Sequence, residues 1–244
     1  MESTSTNPQG PRRRCPVCRN LVRASPSFAG DALCPRCGSL MWLPQPPSRW
    51  ARVRRQLEAL GAVIRFDPDF ESWEVDLRGA PVTRDDLAFL RDMRPVTELL
   101  LNGTPVDDAA AVPIADLREL EVLDLAQTRL TDRGVAALAP LWRLDVLSLV
   151  ETAITEDGIR LLTEHVRLWS LDLSGTAIRG FGLEDLRRST LEDLILDDTL
   201  IDDSTDNLLA SFHRLETLSV RRTRLTPDGV NQLREALPAC RISH

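Results

Sequence analysis

Four of the five cysteines lie close together near the N-terminus, and they are the residues whose types and spacing most clearly suit chemistry. Cys15 and Cys18 form one C-x-x-C pair, and Cys34 and Cys37 form a second pair after fifteen intervening residues. Two such pairs at this spacing are typical of a tetrahedral zinc site. Because four thiolates fill the coordination sphere, we expect one structural Zn²⁺ per chain and no open position for a catalytic water.

The segment around these cysteines has few apolar side chains, so it cannot fold on a core of its own. Zinc binding to a finger-sized peptide contributes roughly 10 to 16 kcal/mol at neutral pH, which offsets the cost of ordering the segment. Disulfides and a redox C-x-x-C are the alternatives. The first needs an oxidising compartment that nothing in the sequence indicates, and the second usually occurs once and near a βαβ pattern.

Charge is divided unevenly between the two parts of the chain. Residues 1–55 carry a net charge of +8 and the remainder carries −15, which gives the chain its net charge of −7. All 30 basic residues are Arg, which excludes a Schiff-base lysine and a P-loop lysine. The basic run Pro11–Arg14 is suited to contacting nucleic-acid phosphates, although a solvated basic arm is the commoner case.

From Trp73 onward the sequence repeats with a period of 24 residues. The apolar residue that ends each predicted strand is Leu77, Leu101, Leu125, Leu149, Leu173, Leu196 or Val220. Three residues later, in all but the first repeat, stands Thr104, Thr128, Thr152, Thr176, Thr199 or Thr223. We expect these threonines to form a structural ladder whose hydroxyls bond backbone groups of the turn and of the neighbouring repeat. Thr131, Thr155 and Thr226 are predicted to begin the helices that follow.

Each repeat predicts an L-x-L strand followed by a helix, and a single such unit cannot bury its apolar face alone. Stacked units give a solenoid with a parallel sheet on its concave face. Cys240 and Ile242 fit a truncated last strand, in which Cys240 is a core residue and not a reactive thiol.

The repeats resemble the bacterial leucine-rich repeats of the L-x-L-x-x-T-x-I-T-D-x-G type over Trp73–Ile242. The CPxC…CPxCG segment resembles the short zinc ribbons at the N-termini of many bacterial multidomain proteins. The resemblance implies an α/β leucine-rich-repeat solenoid of about seven repeats after a small zinc ribbon, with protein–protein recognition and no intrinsic catalysis. Repeats two, five and six depart from the T-D-x-G turn, at Asp107–Ala109, Arg179–Phe181 and Asp202–Ser204. These departures affect the expected geometry of the convex-side helices and not the fold.

Five segments are predicted along the chain. The Pro-rich stretch separates the ribbon from a helix that Ser48 caps and Gly61 ends, and the strand after this helix covers the open edge of the solenoid. The predicted boundaries are a disordered N-terminus (1–10), the zinc ribbon (11–43), a hinge (44–48), a cap helix and strand (49–72), and the solenoid with its C-terminal cap (73–244).

Strand residues between the core positions should project from the concave face. The first row is Glu74, Glu98, Val122, Val146, Ser170, Asp193 and Thr217; the central row is Asp76, Leu100, Asp124, Ser148, Asp172, Ile195 and Ser219; the third is Arg78, Asn102, Ala126, Val150, Ser174, Asp197 and Arg221. The middle of this face is predicted to bind a partner, because an apolar patch with an acidic rim is typical of such a site. Its predicted residues are Val122, Asp124, Ala126, Val146, Ser148, Val150 and Asp172.

Catalytic residues are not predicted. Asp76, Asp124 and Asp172 stand on alternate repeats, about 10 Å apart, and no His shares their surface. The leading hypothesis is a cytoplasmic, monomeric, non-catalytic adaptor whose concave face binds a basic or apolar protein segment, with no membrane and no small-molecule substrate. The alternatives are a nucleic-acid-associated factor that contacts phosphates through its Arg-rich ribbon, and a ligase-like enzyme adaptor whose ribbon recruits a charged carrier.

Overall fold

The computed structural model describes residues 12–14, 21–23, 31–33, 40–42, 48–67, 72–93, 95–162 and 168–244. The predicted zinc ligands, Cys15, Cys18, Cys34 and Cys37, lie outside these residues. Four short strands are described in the N-terminal segment: β1 (Arg12–Arg14), β2 (Leu21–Arg23), β3 (Asp31–Leu33) and β4 (Leu40–Trp42). They form two antiparallel pairs, β1 with β2 and β3 with β4.

The rest of the described chain is built on one nine-stranded sheet in which neighbouring strands follow one another in sequence. Its strands are β5 (Val63–Asp67), β6 (Ser72–Asp76), β7 (Val96–Leu100), β8 (Val122–Asp124), β9 (Val146–Ser148), β10 (Ser170–Asp172), β11 (Asp193–Ile195), β12 (Thr217–Ser219) and β13 (Arg241–Ser243). All neighbours from β6 to β13 pair in parallel, whereas β5 pairs antiparallel with β6. Repeats one to seven begin with β6 to β12, and β13 is a truncated last strand.

Helices connect successive strands on the opposite side of the core. They are α1 (Ser48–Ala59), α2 (Arg84–Ala88), α3 (Asp108–Ala115), α4 (Asp132–Ala137), α5 (Glu156–Leu161), α6 (Asp206–Leu209) and α7 (Pro227–Ala236). Among the described residues, 3₁₀ helices accompany them at Phe89–Met93, Phe181–Arg188 and Asp203–Thr205. Within the described ranges, no helix combines the length and the apolar composition that crossing a membrane requires.

The core consists of leucine ladders that run through all the repeats. Two residues of each repeat point inward because side chains alternate across a strand. The first ladder is Val75, Leu99, Leu123, Leu147, Leu171, Leu194 and Leu218, and the second is Leu77, Leu101, Leu125, Leu149, Leu173, Leu196 and Val220. Each of these side chains is at most 2% exposed, so the predicted solenoid core is confirmed.

Both ends of the solenoid are covered. At the N-terminal end, β5 pairs with the outer edge of β6, and α1 buries Val53 and Leu57. At the C-terminal end, β13 pairs with β12, and α7 buries Val230 and Leu233. Cys240 lies half-buried beside this cap, and its burial raises the pKa of the thiol.

The turn after each strand has the same backbone in all seven repeats. Its left-handed residue is Gly79, Gly103, Gln127, Glu151, Gly175, Asp198 or Arg222, with φ between 51 and 69°. The threonines of the predicted ladder follow at once, and each hydroxyl donates to the carbonyl three residues earlier at 2.6–2.8 Å. These bonds join the threonines to the turn of their own repeat, which is the first of the two predicted contacts, and the acceptor does not belong to the neighbouring repeat.

Candidate partner-binding face

The strand register brings the predicted concave rows together across the sheet. In the first row, Val122 pairs with Val146, which pairs with Ser170, and Ser170 pairs with Asp193. In the central row, Asp124, Ser148, Asp172 and Ile195 follow one another in the same way. Adjacent strands are about 4.8 Å apart, so consecutive residues of a row are close neighbours.

An apolar patch lies in the middle of this face, on repeats three and four. Val122 and Val146 are half-buried neighbours, and Val150 lies half-buried in the turn after β9; these three residues are called the valine patch. Ala126 is only 3% exposed, so its predicted place on the exposed patch is wrong. The side chain of alanine ends at Cβ, so it extends less far from the sheet than the side chains of Asn102 and Val150, which flank it in the same row.

Three carboxylates gather next to the patch, on repeats five and six: Asp172, Asp193 and Asp197, called the acidic cluster. Neutral hydroxyls donate to all three. Ser174 donates to Asp172 at 2.6 Å and Ser219 donates to Asp197 at 2.7 Å. Asp193 accepts the hydroxyls of two further residues, which are Ser170, at 2.8 Å, and Thr217.

The pKa of Asp172 is raised above its ordinary value. Burial of the carboxyl is the main cause, and the negative charges of Asp197 and Asp193 add to it, while the hydrogen bonds from Ser174 oppose it. The cluster therefore concentrates negative charge that its own hydrogen bonds only partly stabilise.

The acids of repeats one and two are compensated differently, because the chain supplies cations there. Arg78 forms an ion pair with Asp76 at 2.7 Å and lowers the pKa of that carboxyl. Arg65 lies 3.8 Å from Glu74. Burial, together with repulsion from Glu74, raises the pKa of Glu98.

Two exposed tryptophans, which the sequence analysis did not single out, lie before the strands of repeats four and five. Trp142 is 54% exposed and Trp169 is 44% exposed. The Arg143 guanidinium lies 5.7 Å from the centre of the Trp142 ring and bonds Glu119 and Glu121. The sequence signal was available, since the equivalent positions one repeat earlier carry the charged residues Arg118 and Asp145.

Two antiparallel strand pairs lie around the predicted zinc ligands in the sequence. β1 pairs with β2 so that Arg14 faces Leu21, and β3 pairs with β4 so that Leu33 faces Leu40. Six residues separate the paired positions in both cases, and the first and fourth of the six are cysteines. Elsewhere, in the ranges with described positions, no three His, Cys, Asp or Glu residues are grouped so that they could hold a metal ion.

The parallel sheet, the leucine ladders and the convex helices define a leucine-rich-repeat solenoid. No protein-family model and no curated protein matches the chain. Among solved structures, internalin C2 from Listeria monocytogenes is 24% identical with a TM-score of 0.53, over 70% of this chain and 80% of that one.

Two further structures have lower scores. An internalin, InlF, also from Listeria monocytogenes, is 18% identical with a TM-score of 0.44, over 68% of this chain and 58% of that one. A plant ice-binding protein is 18% identical with a TM-score of 0.48, over 68% of this chain and 53% of that one. The likeness to internalin C2 concerns the fold.

Proposed function

We propose that this chain is a non-catalytic adaptor that binds a protein segment on the concave face of its solenoid, over the valine patch. The observation that carries the proposal is the side-by-side placement of Val122 and Val146 at the centre of an open sheet face. Asp124 and Asp172 flank these valines on the same face. An apolar centre with a polar rim is the usual anatomy of a protein interface.

The scaffold under the patch is suited to this role because it is rigid. Leu123 and Leu147, which alternate with the patch residues along β8 and β9, are almost completely buried. A face held by such a core loses little conformational freedom when a partner binds, and preorganisation of this kind favours affinity.

The test is affinity capture with the full chain and two charge-introducing variants. Val146→Glu places a carboxylate in the valine patch, whereas Val112→Glu makes the same change at an exposed position of α3 on the convex side. We expect a protein captured by the wild type to be retained by Val112→Glu and lost with Val146→Glu, with thermal unfolding of both variants close to that of the wild type. Equal capture by Val146→Glu would contradict the proposal.

The adaptor is further proposed to hold one structural Zn²⁺ through Cys15, Cys18, Cys34 and Cys37. The support is the arrangement of the two strand pairs, each of which brackets a C-x-x-C sequence at the same offset. Four-thiolate sites of this spacing bind zinc tetrahedrally.

Metal analysis of the dialysed full chain tests this second proposal. We expect close to one zinc per chain, a loss of metal in Cys18→Ser, and no loss in Cys240→Ser, which changes the cysteine outside the cluster. A wild-type chain with freely reacting thiols and almost no zinc would disprove the site.

A further inference from the structure

Building on the proposed function, we infer that the bound segment carries an Arg or Lys side chain that contacts the acidic cluster, about three residues from the apolar side chain that covers Val146. The inference therefore specifies the chemistry of the partner at two points of the concave face.

The first step is the charge of the acidic cluster. Within the described part of the chain, Asp172, Asp193 and Asp197 form no ion pair with an arginine. Arg221 donates its backbone N–H to Asp197 at 2.8 Å, and the guanidinium of the neighbouring Arg222 forms its ion pair with Asp198. In repeat one, by contrast, the guanidinium of Arg78 forms an ion pair with Asp76. The concave face thus forms an ion pair of its own at Asp76, whereas the described part of the chain forms none with the acidic cluster.

The second step is the electrostatic strain within the cluster. Burial is the main cause of the raised pKa of Asp172, and the charges of Asp197 and Asp193 add to it. A cation from a partner relieves this repulsion and is attracted by three carboxylates at once. Hydroxyl donors already orient the carboxylates, so that little ordering is needed when the cation binds.

The third step is the shape of the surface between the carboxylates. Ile195 lies between Asp193 and Asp197 along its own chain segment and pairs with Asp172 on the neighbouring strand. It is half-buried and projects from the same face. Arg and Lys have an apolar stem and a charged head, so the stem can cover Ile195 while the head reaches the carboxylates.

The fourth step is the spacing between the two contact points. Val146 lies on β9 and Asp193 lies on β11, which are two strand spacings, or about 10 Å, apart. A segment that crosses the strands in the polyproline II conformation advances about 3.1 Å per residue and brings every third side chain to the same side. The basic residue therefore falls about three positions from the apolar residue over Val146.

Selection of a displayed random dodecapeptide library on the full chain tests the inference. We expect enrichment of peptides in which Arg or Lys stands three positions from a large apolar residue. The best peptide is then synthesised, and its dissociation constant is measured with the wild type, Asp172→Asn, Asp228→Asn and Val146→Glu. Asp228 lies exposed on α7, so that Asp228→Asn removes one negative charge at a distance from the face.

Asp172→Asn should weaken binding roughly five- to tenfold, Asp228→Asn should not change it, and high salt should reduce the difference between them. Peptides that require Val146 but lack a basic residue, or that bind Asp172→Asn as tightly as the wild type, would overturn the inference and leave the proposed function intact. Selected peptides that bind Val146→Glu normally would overturn the proposed function as well. Failure to enrich the basic–apolar spacing would also disprove the inference.

Discussion

The boundary between repeats three and four differs from the boundary between repeats five and six in the way the convex turn is held. At the first boundary, the carboxylate of Asp132 accepts the backbone N–H of Thr155 at 2.8 Å and its hydroxyl at 2.6 Å. At the second boundary, Gly180 stands where the acid would be, and repeat six caps its own turn when Asp202 accepts the N–H of Ser204 at 3.0 Å.

The same difference explains where glycine is required. Four acids are each followed one repeat later by a glycine: Asp108 by Gly134, Asp132 by Gly158, Glu156 by Gly182, and Asp203 by Gly229. A Cβ atom at these glycines would lie 2.2–3.0 Å from an oxygen of the preceding carboxylate. Where the earlier repeat has Arg84 or Gly180 in place of an acid, the later position is Ala110 or Thr205.

The residue that caps the turn follows the same rule. Thr131, Thr155 and Thr226 stand where an acid precedes them, and their hydroxyls donate to that carboxylate. Where Arg84 or Gly180 stands in place of the acid, the cap of the next repeat is Asp107 or Asp202. Repeat five differs, because Glu156 of the preceding repeat accepts the backbone N–H groups of Arg179 and Gly180. A threonine hydroxyl donates to the acid and also accepts from a helix N–H, whereas an aspartate has no proton to donate and would repel the acid. The T-D-x-G motif is therefore a contact between repeats and not within one.

The largest expected effect comes from breaking this contact at Gly158. Gly158→Ala places a methyl group 2.2 Å from an Asp132 oxygen, and we expect it to lower the free energy of unfolding by about 2–3 kcal/mol. Asp132→Ala removes hydrogen bonds to a carboxylate and should cost about 2 kcal/mol. The double variant should lose less than the sum, because it recreates the acid-free situation of Ala110. Urea denaturation of all four proteins measures the coupling, and strict additivity would refute the steric explanation.

An intermediate effect is expected at Asp206, which lies in repeat six, where the turn receives no carboxylate from the preceding repeat. Asp206 is 7% exposed, and its Oδ1 has no hydrogen-bond partner among the described residues. Burial, together with the charges of Asp203 and Asp202, raises its pKa. An acid whose pKa is raised in the folded state favours folding only while it is protonated, so its contribution is lost as the pH rises through the folded-state pKa.

Asp206→Asn should therefore stabilise the protein at pH 7, by about 1 kcal/mol, and the gain should shrink as the pH falls toward about 4, the unfolded value. Urea denaturation at several pH values measures this, with Asp185→Asn, at an exposed position of repeat five, as the control. A gain that stays constant or grows on acidification would contradict the assignment.

The smallest effect is expected in the turn after each strand, because this turn has the same backbone conformation in repeats three and five. Gly175→Ala puts a side chain at φ 69° in repeat five and should cost about 1 kcal/mol. Gln127→Gly relieves the same strain in repeat three but loses the bond from Gln127 to Glu151, so its net change should stay below about 0.5 kcal/mol. Thermal unfolding distinguishes the two, and a larger loss for Gln127→Gly would show that the side-chain bond outweighs the strain.

Much of the fold followed from the repeat. The 24-residue period gave the leucine ladders and the register of the concave strand residues, because a strand's side chains alternate with a strict period of two. The departures of Asp107 and Asp202 from the motif were harder to interpret from the sequence. Their cause lies in the preceding repeat, at Arg84 and Gly180, and is visible only when the turns are stacked.

The partner-binding face was also predicted from the sequence only in part. Sequence alone predicted that Val122, Val146 and Val150 share a face, but it also placed Ala126 there, because it does not report the height of a short side chain among its neighbours. The zinc ligands remain a prediction from cysteine spacing.

The sequence by itself determined the number of repeats, the inward leucines and the composition of the concave rows, since these depend on local periodicity. Only the tertiary structure decided which carboxylate each convex turn receives and which acids of the concave face have a cation nearby. The carboxylate contacts of the convex turns join atoms 23 to 26 residues apart in the chain, which stacking brings within hydrogen-bond distance, as for Asp108 with Thr131 and Gly134.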